Sequence, residues 1–261
     1  MTGRPGAGKS SLAYLISREL RLGRVLRWPI TTRSTLRAGL YEYDVIGRAQ
    51  DSGRKRREDD NELPAQNIGD FIHLGPLGTA LLPYRLPRVL LVDELDKSDI
   101  DLPNDLLNVF EEGEFTIPEL IRLRHRVPEV VVHTTDPGQT AAVRDGQVKC
   151  HAFPLVVITS NGERDFPAAF LRRCLRLNLP DPDGRRLAEM VAAHFVDGVD
   201  QWRAELVAQF RERSEQVGGL ATDQLLNAVH LASSGAFDAE RDAGWSDLLD
   251  AIWHQLSATA P

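Results

Sequence analysis

The chain is poor in cysteine and methionine, has no long apolar run, and has no strand in a place where one is expected. Cys150 and Cys174 are its only cysteines. They show no paired spacing, which excludes a disulfide framework and points to a reducing, cytoplasmic setting. No stretch approaches the roughly 18 apolar residues that a membrane-spanning helix needs. Basic residues are outnumbered, 31 to 38, giving a net charge of -7, and this balance counts against a general nucleic-acid or membrane-surface binder. The 7 histidines share no metal-ligand spacing with carboxylates or cysteines. The first residues already form a functional-looking motif, so no secretory leader is expected.

That motif runs Gly3-Arg4-Pro5-Gly6-Ala7-Gly8-Lys9-Ser10-Ser11 and fits the phosphate-loop template G-x-x-x-x-G-K-[ST]. Glycines let the backbone curl so that its N–H groups face phosphate oxygens. A following helix, from Ser10 to about Leu20, would aim the positive end of its dipole at the same anion. Its apolar stripe is expected at Leu12, Leu15, Ile16 and Leu20. Lys9 would reach the outer phosphates, and the Ser10 hydroxyl would ligate Mg2+. A phosphate loop normally follows a buried strand, and here only Met1 and Thr2 precede it. The expectation is that the first strand is missing, or that the sheet is completed in some other way.

Further along, residues 25–30 read as a short strand, Gly39 to Ala49 as a loop entering a helix, and residues 51–67 as a charged, solvated loop. Ile68 to Gly78 reads as a hairpin or turn segment before a short helix near Thr79–Leu82. Arg88 to Glu94 contains a continuous apolar run, as expected of a strand buried on both faces. It ends in adjacent carboxylates. At that carboxyl end of the strand Asp93 would hold magnesium through water, and Glu94 would act as general base on the attacking water. Asp101 to Glu112 reads as a helix capped by Asp101 and stopped by Gly113. Val130–His133 and Gln147–His151 suggest the two strands of a hairpin with a long connection. Leu155 to Asn161 reads as a second buried strand ending in polar residues, of which Asn161 would orient water or contact the terminal phosphate. Phe166 to Cys174 is a short helix, and Leu175 to Leu179 alternates like an edge strand. Pro180 to Gly184 marks a boundary, after which about four helices follow.

These pieces together resemble the MoxR-like branch of the AAA+ ATPases, which includes dynein-related members. The resemblance rests on the phosphate loop, the Walker B run Val89–Glu94, the sensor-one strand Leu155–Asn161 and the helix end Phe170–Cys174. Branch-specific support comes from Gly75-Pro76-Leu77, from Asp93 to Ser98 and from Pro103 to Leu107. The resemblance implies an α/β parallel sheet flanked by helices over residues 1–181, with its first strand missing, and a small helical lid over residues 182–261. It also implies a ring homo-oligomer, often hexameric, that binds and hydrolyses ATP between subunits. Arg173, or else Arg172, would reach the neighbour's site as an arginine finger. The implied partner is a protein client remodelled in chaperone-like fashion, such as a von Willebrand A domain protein. One departure stands out: Gly218 to Leu226 holds no sensor-two arginine, while Arg211 and Arg213 nearby read as a solvated face. Two other functions remain open: an ATP-dependent switch with little turnover, or a nucleic-acid motor or restriction-type GTPase. The latter leans only on the run Arg54-Lys55-Arg56-Arg57.

Overall fold

In the computed structural model the described residues are 1–3, 6–55, 68–180, 182–194, 201–217, 220–233 and 244–253. They form two compact units: residues 1–2 with 10–177, and residues 3–9 with 178–261.

The first unit is built on the strand β4 (Val89–Asp93), in which every residue is buried. It lies between β1 (Leu26–Pro29) and β9 (Leu155–Ile158), all parallel, in the order β1-β4-β9. Alternation sorts its side chains to two faces. Leu90 and Val92 enter the larger core with Leu26 and Trp28; Val89 and Leu91 join Ala13, Val25 and Val157 in a smaller one. This is the double burial that the uninterrupted apolar run requires.

Helix α1 (Lys9–Glu19) faces inward differently from the expected stripe. Leu15 and Leu20 are 44% and 61% exposed, whereas Ala13 and Ser17 are buried. Small residues four apart allow close approach to the sheet, and the Ser17 hydroxyl donates to the Gly23 carbonyl at 2.5 Å. Helix α2 (Leu36–Leu40) is capped by Thr35, whose side chain accepts from Ala38 N–H. The stretch from Gly39 to Ala49 holds a strand, β2 (Tyr41–Tyr43), before α3 (Val45–Lys55). Asp51 to Lys55 is therefore helical, and the rest of the charged run, including Arg56 and Arg57, lies outside the described residues.

The segment from Ile68 is a 3-10 turn followed by β3 (Ile72–Leu74) and α4 (Pro76–Ala80). Helix α5 (Leu102–Glu112) ends where Gly113 adopts φ 65°, a left-handed cap; Asp101 precedes it but makes no side-chain capping bond. Strand β5 (Glu114–Thr116) and the short helix α6 (Pro118–Ile121) follow. The expected hairpin is corrected: β6 (Glu129–His133) pairs with β7 (Thr140–Arg144), while β8 (Gln147–Lys149) pairs with β5. The long connection contained a strand of its own. Together these strands make a mixed sheet, β2-β3-β6-β7-β8-β5.

Strand β9 is less buried than its sequence suggests, with Leu155 37% exposed. It borders a cavity of about 650 Å3 lined by Met1, Phe110, Val156, Ile158, Phe170 and Leu177, among others. On that edge Thr2 forms a single parallel bridge to Ser160. The Met1 ammonium donates to Ile158 O at 2.7 Å, Ser160 N–H to Met1 O at 3.0 Å and Thr2 N–H to Leu177 O at 2.9 Å. The sheet is thus extended beside β9 by one pairing. Residues 175–177 are irregular, with Leu175 fully exposed, so the expected edge strand there reduces to an isolated bridge at Asn178. Helix α7 covers Ala168–Leu171.

The second unit packs α8 (Gly184–His194), α9 (Gln201–Gln216), α10 (Thr222–Ser233) and α11 (Trp245–Ile252) around Leu187, Val191, Phe210, Leu225, Val229 and Trp253. No helix among the described residues is long and apolar enough to cross a membrane.

Leu90 has no exposed surface and sits mid-strand. Leu90→Ala is expected to lower unfolding stability by about 3 kcal/mol, read as a lower urea midpoint at unchanged slope.

Candidate functional site

In the first unit the site forms where β4 and β9 end. Parallel pairing brings the ends of these strands side by side, and α1 carries Ser10 to the same point. The buried carboxylate of Asp93 is its centre. Oδ1 accepts from the Ser10 hydroxyl at 2.6 Å and from the Thr159 hydroxyl at 2.7 Å. Oδ2 accepts from Arg27 Nε at 3.0 Å and Nη2 at 2.7 Å. Arg27 reaches it because β1 alternates: Leu26 and Trp28 are buried in the larger core, and Arg27 is turned to the other face.

Glu94 follows immediately and behaves differently. Its backbone sits at φ 62°, ψ 48°, a left-handed conformation that costs a non-glycine residue about 1–2 kcal/mol. Its N–H donates to Thr159 Oγ1 at 2.9 Å, so one threonine hydroxyl serves both acidic residues. The Glu94 side chain is 41% exposed and pairs through Oε2 with Lys97 at 2.8 Å; Asn161 Nδ2 lies 3.4 Å from Oε1. Asn161 is fixed from below by buried Asp96, whose Oδ2 accepts from the N–H groups of Asn161 at 2.9 Å and Glu163 at 3.1 Å. Asp96 Oδ1 is buried with no hydrogen-bond partner among the described residues.

The expected site residues are thus distributed as follows. Ser10, Asp93, Glu94 and Asn161 converge. Arg173 stands elsewhere in this unit, at the end of α7, where it pairs with Glu111 at 2.5 Å and donates to Ala169 O at 3.1 Å; Arg172 is exposed beside it. Ser11 is exposed on α1. Three contributors were not assigned from the sequence: Arg27, Thr159 and Asp96. Thr159 and Asp96 lie beside motif residues, but the sequence does not show which hydroxyl or carboxylate turns inward. The signal for Arg27 was a single charged residue in an otherwise apolar strand.

Residues 3–9 of the loop belong to the second unit. The Lys9 ammonium is folded back onto its own loop, donating to Gly3 O at 2.7 Å, and Lys9 is only 6% exposed. Gly6 (φ 78°) lies so close to the start of α10 that a Cβ would stand 2.6 Å from Thr222 N. Gly8 (φ 81°) faces open space. Ala7 is half-buried, and Arg4 and Pro5 lie outside the described residues. Elsewhere in this unit Arg213, half-buried, pairs with Asp250 at 2.9 Å, while Arg211 is exposed, 3.9 Å from Glu215.

The donor set can take a magnesium–phosphate group. The Ser10 proton is committed to Asp93, which leaves the hydroxyl lone pairs to a cation, and the ionised carboxylate supplies charge beside it. No cluster of three or more His, Cys, Asp or Glu able to hold a metal occurs among the described residues. A cation here would need phosphate oxygens and water to complete its shell. Both cysteines are free thiols, and burial pushes the Cys174 thiol up.

Burial by itself would raise the Asp93 carboxyl, but the hydrogen bonds from Ser10, Thr159 and Arg27 outweigh it and hold it below the ordinary carboxylate value. Arg27 is raised in turn, chiefly by its hydrogen bond to Asp93. A lowered folded-state value means that Asp93 contributes stability above the unfolded value near 4 and loses it as pH falls through the lower one. Urea unfolding at pH 7 and at pH 3 should therefore differ more for the parent chain than for Asp93→Asn, which lacks the titrating group.

No protein-family model matches the chain, and no curated protein matches it. Solved structures do. NtrX from Brucella abortus in complex with ADP superposes at TM-score 0.50 and 16% identity, over 98% of this chain and 50% of that one. A second NtrX structure from the same organism gives TM-score 0.51 and 17% identity, over 100% and 51%. This chain spans about half the length of these neighbours. A mixed α/β fold, with parallel strands flanked by helices, is what it shares with them.

Proposed function

We propose that this chain is an AAA+ ATPase of the MoxR-like branch, binding ATP with Mg2+ through residues 3–11 and hydrolysing it. The observation that carries this reading is the linkage of Ser10, Asp93 and Thr159, with Glu94 set between Asp93 and Asn161. A helix-borne hydroxyl, a buried carboxylate and a second, half-exposed carboxylate at parallel strand ends suit in-line attack of water on a terminal phosphate. One NtrX structure holds ADP, in keeping with the same reading. The chemistry supplied by a bound Mg2+ would be neutralisation of charge on the phosphates. Ser10 would face the cation directly and Asp93 through water. Lys9, now on Gly3 O, would exchange that carbonyl for the outer phosphates. Glu94 would accept the proton of the attacking water, with Asn161 orienting that water.

Assembly as a ring, often hexameric, is part of the same proposal. Arg173, or failing it Arg172, would leave its contacts on its own chain and stabilise charge in the neighbour's site. Turnover would then remodel a protein client, for which a von Willebrand A domain protein is the leading candidate.

The Lys97–Glu94 pair favours a second reading, an ATP-dependent switch with little turnover, because the base must give up an ammonium partner before it can act. Single-turnover hydrolysis separates the two: phosphate release within seconds supports the ATPase, and bound ATP persisting for many minutes supports the switch.

Glu94→Gln is expected to lower hydrolysis by about 10²–10⁴-fold while calorimetry still detects ATP. Unchanged phosphate release in that variant removes Glu94 from the role of base. Lys9→Ala is expected to abolish nucleotide uptake, measured with a fluorescent ATP analogue.

A further inference from the structure

The Asp93 carboxylate is already full. A carboxylate offers about four lone-pair directions, and Ser10, Thr159 and the two Arg27 nitrogens occupy them. The two oxygens are not equivalent. Those on Oδ1 are buried or half-buried hydroxyls, and the Ser10 bond is the one that leaves the serine lone pairs to a cation. Breaking it would dismantle the cation's own ligand. Among the described residues Oδ2 is held by Arg27 alone.

The two members of this ion pair also differ in freedom. The Asp93 side chain is 5% exposed, whereas that of Arg27 is 56% exposed. The carboxylate cannot move into solvent without leaving Ser10 and Thr159, but the guanidinium can swing out into water along a flexible stem. Magnesium keeps several of its waters and binds protein carboxylates sparingly. A metal-bound water beside Ser10 needs a carboxylate lone pair to donate to, and Oδ2 is where one can be released. The guanidinium and a divalent cation would also repel each other across this carboxylate.

We propose that Arg27 is a latch that competes with magnesium for Asp93, holding Oδ2 until magnesium-bound nucleotide displaces it. It thereby sets the magnesium concentration at which the chain engages nucleotide. This rests on the reading of residues 3–11 with Asp93 as a triphosphate site. It adds a positioning residue on a neighbouring strand, outside the loop and outside the acidic pair.

The test titrates MgCl2 against the parent chain, Arg27→Ala and Arg27→Lys at fixed fluorescent ATP analogue, using uptake as the readout. Arg27→Ala should reach half-saturation at about five- to tenfold lower magnesium. Arg27→Lys keeps the charge but not the paired donors, and should fall between the two. On the 15N-labelled parent chain, the Arg27 Nε–H resonance, assigned by its absence in Arg27→Ala, should move to the position of a solvent-exposed arginine on saturation with magnesium and a non-hydrolysable analogue. Equal magnesium dependence in parent and Arg27→Ala overturns the latch and leaves nucleotide binding standing. An Nε–H resonance unmoved at saturation does the same, and is read on the parent chain itself. Failure of the parent chain to take up nucleotide at any magnesium concentration overturns both readings together.

Discussion

A buried carboxylate at the end of the middle strand dictates what its neighbours must be. Removing an ionised Asp93 from water costs several kcal/mol unless hydrogen bonds replace the solvent, and those bonds come from three separate segments. Ser10 arrives on α1, Thr159 at the end of β9 and Arg27 on β1. Only a central strand can be reached from both sides, so the order β1-β4-β9 is as much a requirement of this carboxylate as of the apolar run that precedes it.

The adjacent residue shows how one dipeptide acquires two chemistries. Asp93 ends a regular strand and stays inside; Glu94 turns through the left-handed region and leaves its carboxylate half in solvent. The strain of that turn is held by Thr159 accepting the Glu94 N–H and by the 3-10 turn Leu95–Lys97 that follows. One hydroxyl thus ties a fixed acid to a reachable one. Asp96 continues the pattern by gripping the backbone of Asn161, so that the polar residue beyond β9 is placed by β4's own continuation.

Much of this was legible in the residues and some was not, for physical reasons. The run Val89–Asp93 announced a doubly buried strand because no polar side chain interrupts it, and Gly113 announced a helix end because a left-handed cap favours glycine. Tyr41–Tyr43 and Thr140–Arg144 escaped notice because strands of three to five residues carry too little periodicity to stand out from a loop. The stripe of α1 misled because leucines outrank alanine and serine in hydrophobicity, while close approach to a sheet selects for small volume. Leu155 looked like core because sequence reveals apolarity and not whether a neighbour covers it. Arg27 could not be assigned at all: its partner is 66 residues away, and only the pairing of Leu26 with Leu90 brings the two together.

The flank of the sheet beside β9 adds a last step. Thr159 and Asn161 depend on β9 for their position, yet beyond β4 that strand is braced by little more than Met1 and Thr2. Those two residues bond on one side to Ile158 and Ser160 and on the other to Leu177, and Thr2 leads directly into Gly3. Met1 and Thr2 are therefore fastened to the strand bearing Thr159 by backbone bonds, whose geometry tolerates little slack. Apolar burial is thin there, as the cavity and the exposed Leu155 and Leu177 attest. Position along this edge of the sheet is set by a few directed hydrogen bonds, and Thr159 and Asn161 inherit it.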